Sequence, residues 1–151
     1  MATRTKPSNR GFWLVVLPMA FAGVVLIALI VLFRPRAGGE AEVRASLRTA
    51  LAAARTVRER DGSFAGATAL RLRQEAPGVL FIDPDEASNN PRVVSVFASA
   101  SVWAGAARAE SGTCYWIRAS AEGATTYGTG SDCTGEAARR ASRPAWPAPG
   151  S

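Results

Sequence analysis

The sequence predicts an α+β protein: a single N-terminal transmembrane helix, then an amphipathic helix packed on a small antiparallel β-sheet. Three observations lead there. Residues 12–33 are 22 residues without a charge, filled almost entirely by Leu, Val, Ile, Phe, Ala and Met. Apolar residues then recur at helical spacing from Val43 to Val57. Beyond residue 90, β-branched and aromatic runs alternate with turn residues.

The uncharged run, as a helix, reaches roughly 33 Å, enough to cross a hydrocarbon core. In lipid its backbone amides have to be satisfied internally, and a helix does that. Arg10 and Arg34 bound it, and Pro18 and Gly23 lie inside, as membrane helices tolerate. It is longer than the apolar region of a secretory signal, and no small-residue cleavage site follows before Arg34-Pro35. It is therefore read as a retained anchor. Residues 1–11 form a basic leader, with Arg4, Lys6 and Arg10 and no acid, placed in the cytoplasm. The cations Arg34, Arg36, Arg44 and Arg48 on the other flank leave the charge bias weak. Orientation rests instead on the two cysteines, for which the extracytoplasmic side is the oxidising one.

Residues 34–39, RPRAGG, read as a Pro/Gly hinge. A second helix follows from about Glu40 to Arg60, its stripe made of Val43, Leu47, Ala50, Leu51, Ala54 and Val57. Asp61-Gly62 stops it. The stripe suits the domain's own sheet better than a membrane surface. Ala67 to Glu75 is a short helix with Leu70 and Leu72 inward, and Val79 to Ile82 a brief strand. Asp83 to Pro91 is rich in oxygen donors but lacks the glycine and terminal glutamate of an EF-hand loop, so it reads as a turn. Val93 to Phe97, Ser101 to Ala107, Thr113 to Ala119 and Ala124 to Tyr127 read as strands of an antiparallel meander. In the third of these, Cys114, Trp116 and Arg118 share one face and Tyr115 and Ile117 the other. Gly128 to Asp132 reads as a glycine-rich turn leading to Cys133, and one helical turn follows Gly135. The globular domain covers residues 40–138. Residues 139–151 are expected to be a Pro-rich disordered tail, with Trp146 in solvent.

Composition closes several routes. The chain has 151 residues, no histidine and a net charge of +6. Without histidine it lacks the commonest general base and a principal metal ligand. The one lysine, Lys6, precedes the anchor, so no Ser-Lys dyad can exist in the globular part. The arginines are scattered, without the basic stripe and interleaved aromatics of a nucleic-acid surface. Asp83 and Asp85 flank a proline in a polar loop, which gives no reason for a shifted pKa. Gly128-Thr129-Gly130 lacks the lysine and following helix of a phosphate loop. No enzyme, cofactor or metal site is expected. Cys114 and Cys133 are too few for zinc and are not a C-x-x-C pair. They form one disulfide in an oxidising compartment, or remain two buried thiols.

The order of these parts resembles the type IV pilin and pseudopilin family. Arg10-Gly11-Phe12 is similar to the basic-Gly-Phe site at which a prepilin peptidase cuts after glycine. Leu47 to Ala67 resembles the second half of a pilin helix with its following D-G-S-aromatic turn. Ser111 to Ser120 and Thr125 to Ala137 resemble the last strands and cysteine loop of pilins from high-GC bacteria. The acid that family members carry five residues into the mature chain is Val16 here, and Trp13 stands where threonine is usual. The resemblance implies processing between Gly11 and Phe12 and a membrane-anchored structural subunit, a minor pilin or pseudopilin of a type IV pilus or type II secretion-like assembly. Its partners would be the lipid bilayer, other pilin-like subunits through the transmembrane helix, and the prepilin peptidase. The alternative is a bitopic membrane protein whose small extracytoplasmic domain binds or scaffolds without polymerising.

Overall fold

Helix α1, Gly38–Asp61, turns its apolar stripe inward: Val43, Leu47, Ala50, Leu51, Ala54 and Val57 are all buried. The stripe lies on the domain's own sheet, against β2 (Val93–Ala98), β3 (Val102–Arg108) and β4 (Cys114–Ser120). In this computed structural model residues 38–148 are described. The leader, the anchor expected over 12–33 and residues 34–37 of the hinge lie outside the described residues. Among the described residues no helix is long and apolar enough to cross a membrane. Gly38 and Gly39, expected in the hinge, are helical. At Gly39 a Cβ would come within 3.2 Å of the Glu110 side chain, so the position favours glycine through close packing. The helix ends as its sequence requires: Gly62 takes φ +78, and its N–H returns to Arg58 O at 2.7 Å.

The arginines off the stripe form a second contact row. Arg44 donates to Pro147 O, Arg55 to Thr125 Oγ1 and Arg58 to Ala121 O, while Arg48 stacks over Trp146. Their aliphatic stems lengthen the helix's contact surface, and their heads fasten the far side of the sheet.

Helix α2, Ala69–Glu75, follows. Leu72 is buried, but Leu70 is 70% exposed. Residues two apart in a helix lie about 200° apart around the axis, so both cannot face the core. Arg60 sits 2.7 Å from Glu75 and links α1 to α2.

The five-stranded sheet has the order β1-β2-β3-β4-β5, with β1 at Leu80–Ile82 and β5 at Thr125–Gly130. The chain is thus α+β, a helix on a sheet. Strands β2 to β5 form the expected antiparallel meander, but β1 pairs parallel to β2, Phe81 opposite Val94. No tight hairpin joins them. The polar loop of residues 83–92 returns the chain to the end where β1 began, so the two strands run the same way.

The stretch 128–130 is strand, not turn. Trp116 faces Gly128 across the ladder and spreads its indole over the neighbouring backbone. A Cβ on Gly128 would sit 3.0 Å from that ring, and one on Gly130 only 2.4 Å. The glycines make room for an aromatic that restores the packing they lack. On the α1 face the fully buried Trp103 lies over Gly105 in the same way, at 2.9 Å from a Cβ there.

Each face carries its own core. The α1 face buries Phe64, Leu72, Phe81, Val94, Val96, Trp103, Tyr115 and Ile117. The outer face holds a smaller cluster of Ala104, Ala106 and Ala138, with Phe97 and Trp116 beside it. Helix α3, Gly135–Ala138, sits there, capped by Thr134, whose Oγ1 accepts from Ala137 N. It approaches so closely that a Cβ on Gly135 would meet the Val96 carbonyl carbon at 2.6 Å.

The Pro-rich segment up to residue 148 is seated on the domain rather than disordered. Arg143 and Tyr127 exchange both backbone hydrogen bonds, at 2.8 and 3.0 Å, and Thr126 Oγ1 donates to Ala141 O. Trp146 packs edge-on against Tyr127 at 4.5 Å and donates Nε1–H to Trp116 O. An uncovered β5 would offer unpaired backbone groups to other chains, and this strap covers it. At the opposite edge, Arg73 Nε and Nη2 both donate to Phe81 O, occupying the outward carbonyl of β1.

Candidate functional site

The two cysteines expected to pair do so: Cys114 and Cys133 form a disulfide with Cα atoms 5.1 Å apart. Cys114 opens β4 on the outer face, and the bond draws residues 131–134 onto that face. Trp116 Nε1–H donates to Asp132 O at 2.8 Å and holds the same loop from a second point. The other sequence-predicted pair, Gly11 and Phe12, lies outside the described residues.

Two buried serines fix what surrounds the disulfide. Ser95 Oγ donates to Asp83 O and accepts from Gly135 N, both at 2.8 Å. Ser88 Oγ donates to Val93 O and accepts from Arg108 N, while Ser88 N donates to Cys133 O. Each hydroxyl satisfies backbone groups that would otherwise be buried without partners. Loop 83–91, the disulfide loop and α3 are thereby one rigid cap on the outer face. The loop is a turn: Glu86 N returns to Asp83 O at 3.1 Å. Among the described residues no group of three or more His, Cys, Asp or Glu is placed to hold a metal.

Below this cap the outer face opens into a groove of about 430 Å3, with Phe97 and Val102 at its base and Arg118, Arg139, Arg140 and Glu136 around it. Ser99 and Ser101, in the β2–β3 turn, line its far end. Arg139 stacks over Phe97 at 4.4 Å and pairs with Glu136 at 2.7 Å. Arg140 lies over Trp116 at 5.5 Å, with Asp132 at 3.7 Å. Each ring face attracts its guanidinium, and N–H donors remain at the exposed edges. Arg118, half-buried in the middle of β4, makes no hydrogen bond or ion pair among the described residues. Its charge, with the Ser120 hydrogen bond as the main cause, helps hold the nearby Glu122 carboxyl below its usual range.

A second polar corner lies under the strap. Burial, and then the neighbouring Glu40, push the Tyr115 phenol above its ordinary pKa, with Arg44 opposing. Arg44 stands over the Tyr115 ring at 5.2 Å and completes a Glu40–Arg44–Pro147 chain. This corner is filled by the chain's own strap.

The period-two pattern of β4 had already put Cys114, Trp116 and Arg118 on one face, and the structure agrees. It carried no sign that Arg139 and Arg140 come to the same face, because α3 is brought there by the disulfide and Ser95. No protein-family model, no curated protein and no solved structure matches this chain.

Proposed function

We propose that this chain is a membrane-anchored, pilin-like structural subunit, a minor pilin or pseudopilin of a type IV pilus or type II secretion-like assembly. The observation that carries the reading is the order of parts along one chain. A 22-residue uncharged run leads into a helix whose stripe packs on a sheet, and a C-terminal disulfide loop closes that sheet. The apolar run would be the membrane anchor and the surface on which subunits associate. Charge supports the anchor. All 12 acids lie from Glu40 onward, where 13 of the 18 cations, Arg44 to Arg143, balance them. The rest of the cations, Arg4, Lys6, Arg10, Arg34 and Arg36, flank the apolar run, where anionic headgroups would meet them. The subunit's work is packing, with Gly11-Phe12 as the processing site.

The test is the intact mass of the chain in cells with and without prepilin peptidase. The reading expects loss of residues 1–11 only where the peptidase is present. An unchanged mass removes the processing claim. One observation favours a second reading, a bitopic protein with a non-polymerising extracytoplasmic domain. Val16 stands where the resembled family carries an acid, so an anchor without that charge has lost one assembly contact.

A further inference from the structure

Arg118 lines the outer-face groove, presents five N–H donors and, among the described residues, makes no hydrogen bond or close ion pair; Glu122 feels its charge without bonding to it. Arg139 and Arg140, over Phe97 and Trp116 and paired with Glu136 and Asp132, add further guanidinium donors at the exposed surface. Such forks suit a carboxylate, which two parallel N–H groups can bind at once. A half-buried guanidinium without a hydrogen-bond partner also gains from an incoming carboxylate.

The same chain carries a shape that fits. Asp83, Asp85 and Glu86 put three acids into four residues, all exposed, and none is in an ion pair among the described residues. Pro84 stiffens the turn, the Glu86 N to Asp83 O hydrogen bond closes it, and Ser95 anchors it from below. It is a rigid acidic projection, and the groove is a basic hollow. Among the described residues none of the turn's three acids is ion-paired with Arg118, Arg139 or Arg140. The turn adjoins the start of α3, where Glu136 N donates to Pro84 O, while Arg139 and Arg140 lie beyond the helix's other end.

We propose that the acidic turn 83–86 of one copy docks into the Arg118–Arg139–Arg140 groove of a second copy. Turn and groove adjoin the same four-residue helix, so two copies can exchange turns reciprocally about a two-fold axis. Charge complementarity sets the register of this contact. The inference rests on the proposed reading in taking another copy of the chain as the occupant.

The test uses the full chain in its native membrane. A photo-reactive phenylalanine replaces the exposed Ala87, beside the turn but outside its charges. On illumination, a dimer-mass adduct is expected, with the label on the second copy's peptides containing Phe97–Val102 or Glu136–Arg140. Arg118→Glu is expected to cut the adduct about tenfold, and Asp85→Arg added to it to restore at least half. Absence of free thiols in each variant shows that the disulfide, and so the outer face, has formed. Absence of a dimer adduct, a dimer adduct indifferent to Arg118→Glu, or adducts to other proteins only would each overturn the docking. The mass of the same chain separates the two ideas. Loss of residues 1–11 without the adduct sinks the docking alone. An adduct on an unprocessed chain sinks the processing claim and leaves the docking standing.

Discussion

Trp146→Ala tests whether the Pro-rich segment is a strap or a tail. The residue makes three separable contacts. Its indole N–H donates to Trp116 O at 2.8 Å, a hydrogen bond worth about 1 kcal/mol. Its ring meets Tyr127 edge-on at 4.5 Å, which adds about 0.5–1.5 kcal/mol. Arg48 over the ring at 5.5 Å contributes roughly 0.5 kcal/mol at this partly exposed site. Together these give a loss of about 2–3 kcal/mol, or roughly 10 °C in the melting point of a domain this size. Trp146→Phe keeps the ring but lacks the donor, and should lose about 1 kcal/mol. The assay is thermal unfolding of the full chain in detergent, read by amide exchange. The Tyr127 amide, bonded to Arg143 O, should lose protection in Trp146→Ala well before the β3–β4 amides do. A variant that melts like the parent, with Tyr127 still protected, would refute the seated strap.

Other substitutions probe the outer face. Gly130→Ala forces a Cβ to 2.4 Å from the Trp116 ring and should cost about 1–3 kcal/mol in denaturant unfolding. Gly78→Ala, which meets nothing within 4 Å, should be neutral or slightly stabilising in the same assay. Ser95→Ala leaves Asp83 O and Gly135 N without their buried partner and should cost about 2 kcal/mol, with early exchange at Gly135. Reducing the disulfide should cost about 3 kcal/mol, in the loop-entropy account of a 19-residue separation. Thiol labelling of the unreduced, denatured chain should find no free thiol, and two would refute the bond. Glu75 supplies the acid-side test. Its hydrogen bond to Arg60 holds its carboxyl below the usual range. That stability is present above the unfolded carboxylate's pKa and is lost as pH falls through the lower, folded value. Arg60→Ala should therefore flatten the acid limb of the stability profile, and an unchanged limb would refute the pairing.

Much of the α1 face was legible because one residue type in one period decides it. The stripe from Val43 to Val57 and the alternation of Tyr115 and Ile117 with Trp116 and Arg118 reappear as buried and outer faces. What misled was local chemistry overruled by tertiary contact. Gly128 and Gly130 look like a turn until Trp116 is laid over them. Prolines 144 and 147 look like disorder until Arg143 and Trp146, on either side, find backbone partners on β5 and β4. Leu70 and Leu72 were given one face, which helical geometry forbids. The parallel β1 was hidden because strand direction depends on where the 83–92 loop returns, and no residue in that loop encodes the return. The groove was half visible. Arg118 could be assigned to the outer face from its period, whereas Arg139 and Arg140 arrive there through a disulfide spanning 19 residues and a Gly135–Ser95 hydrogen bond spanning 40.

The central claim is that the described domain stands outside a membrane that the preceding apolar run crosses. Protease added to intact cells, with the outer envelope permeabilised, measures this most directly. In cells without prepilin peptidase, where the leader is retained, the account predicts digestion of the C-terminal domain once its disulfide is reduced, and survival of a tag placed on the N-terminus. Protection of the C-terminal domain in the reduced, permeabilised sample would contradict the account, removing the orientation, the setting for the Cys114–Cys133 bond and the pilin-like reading together.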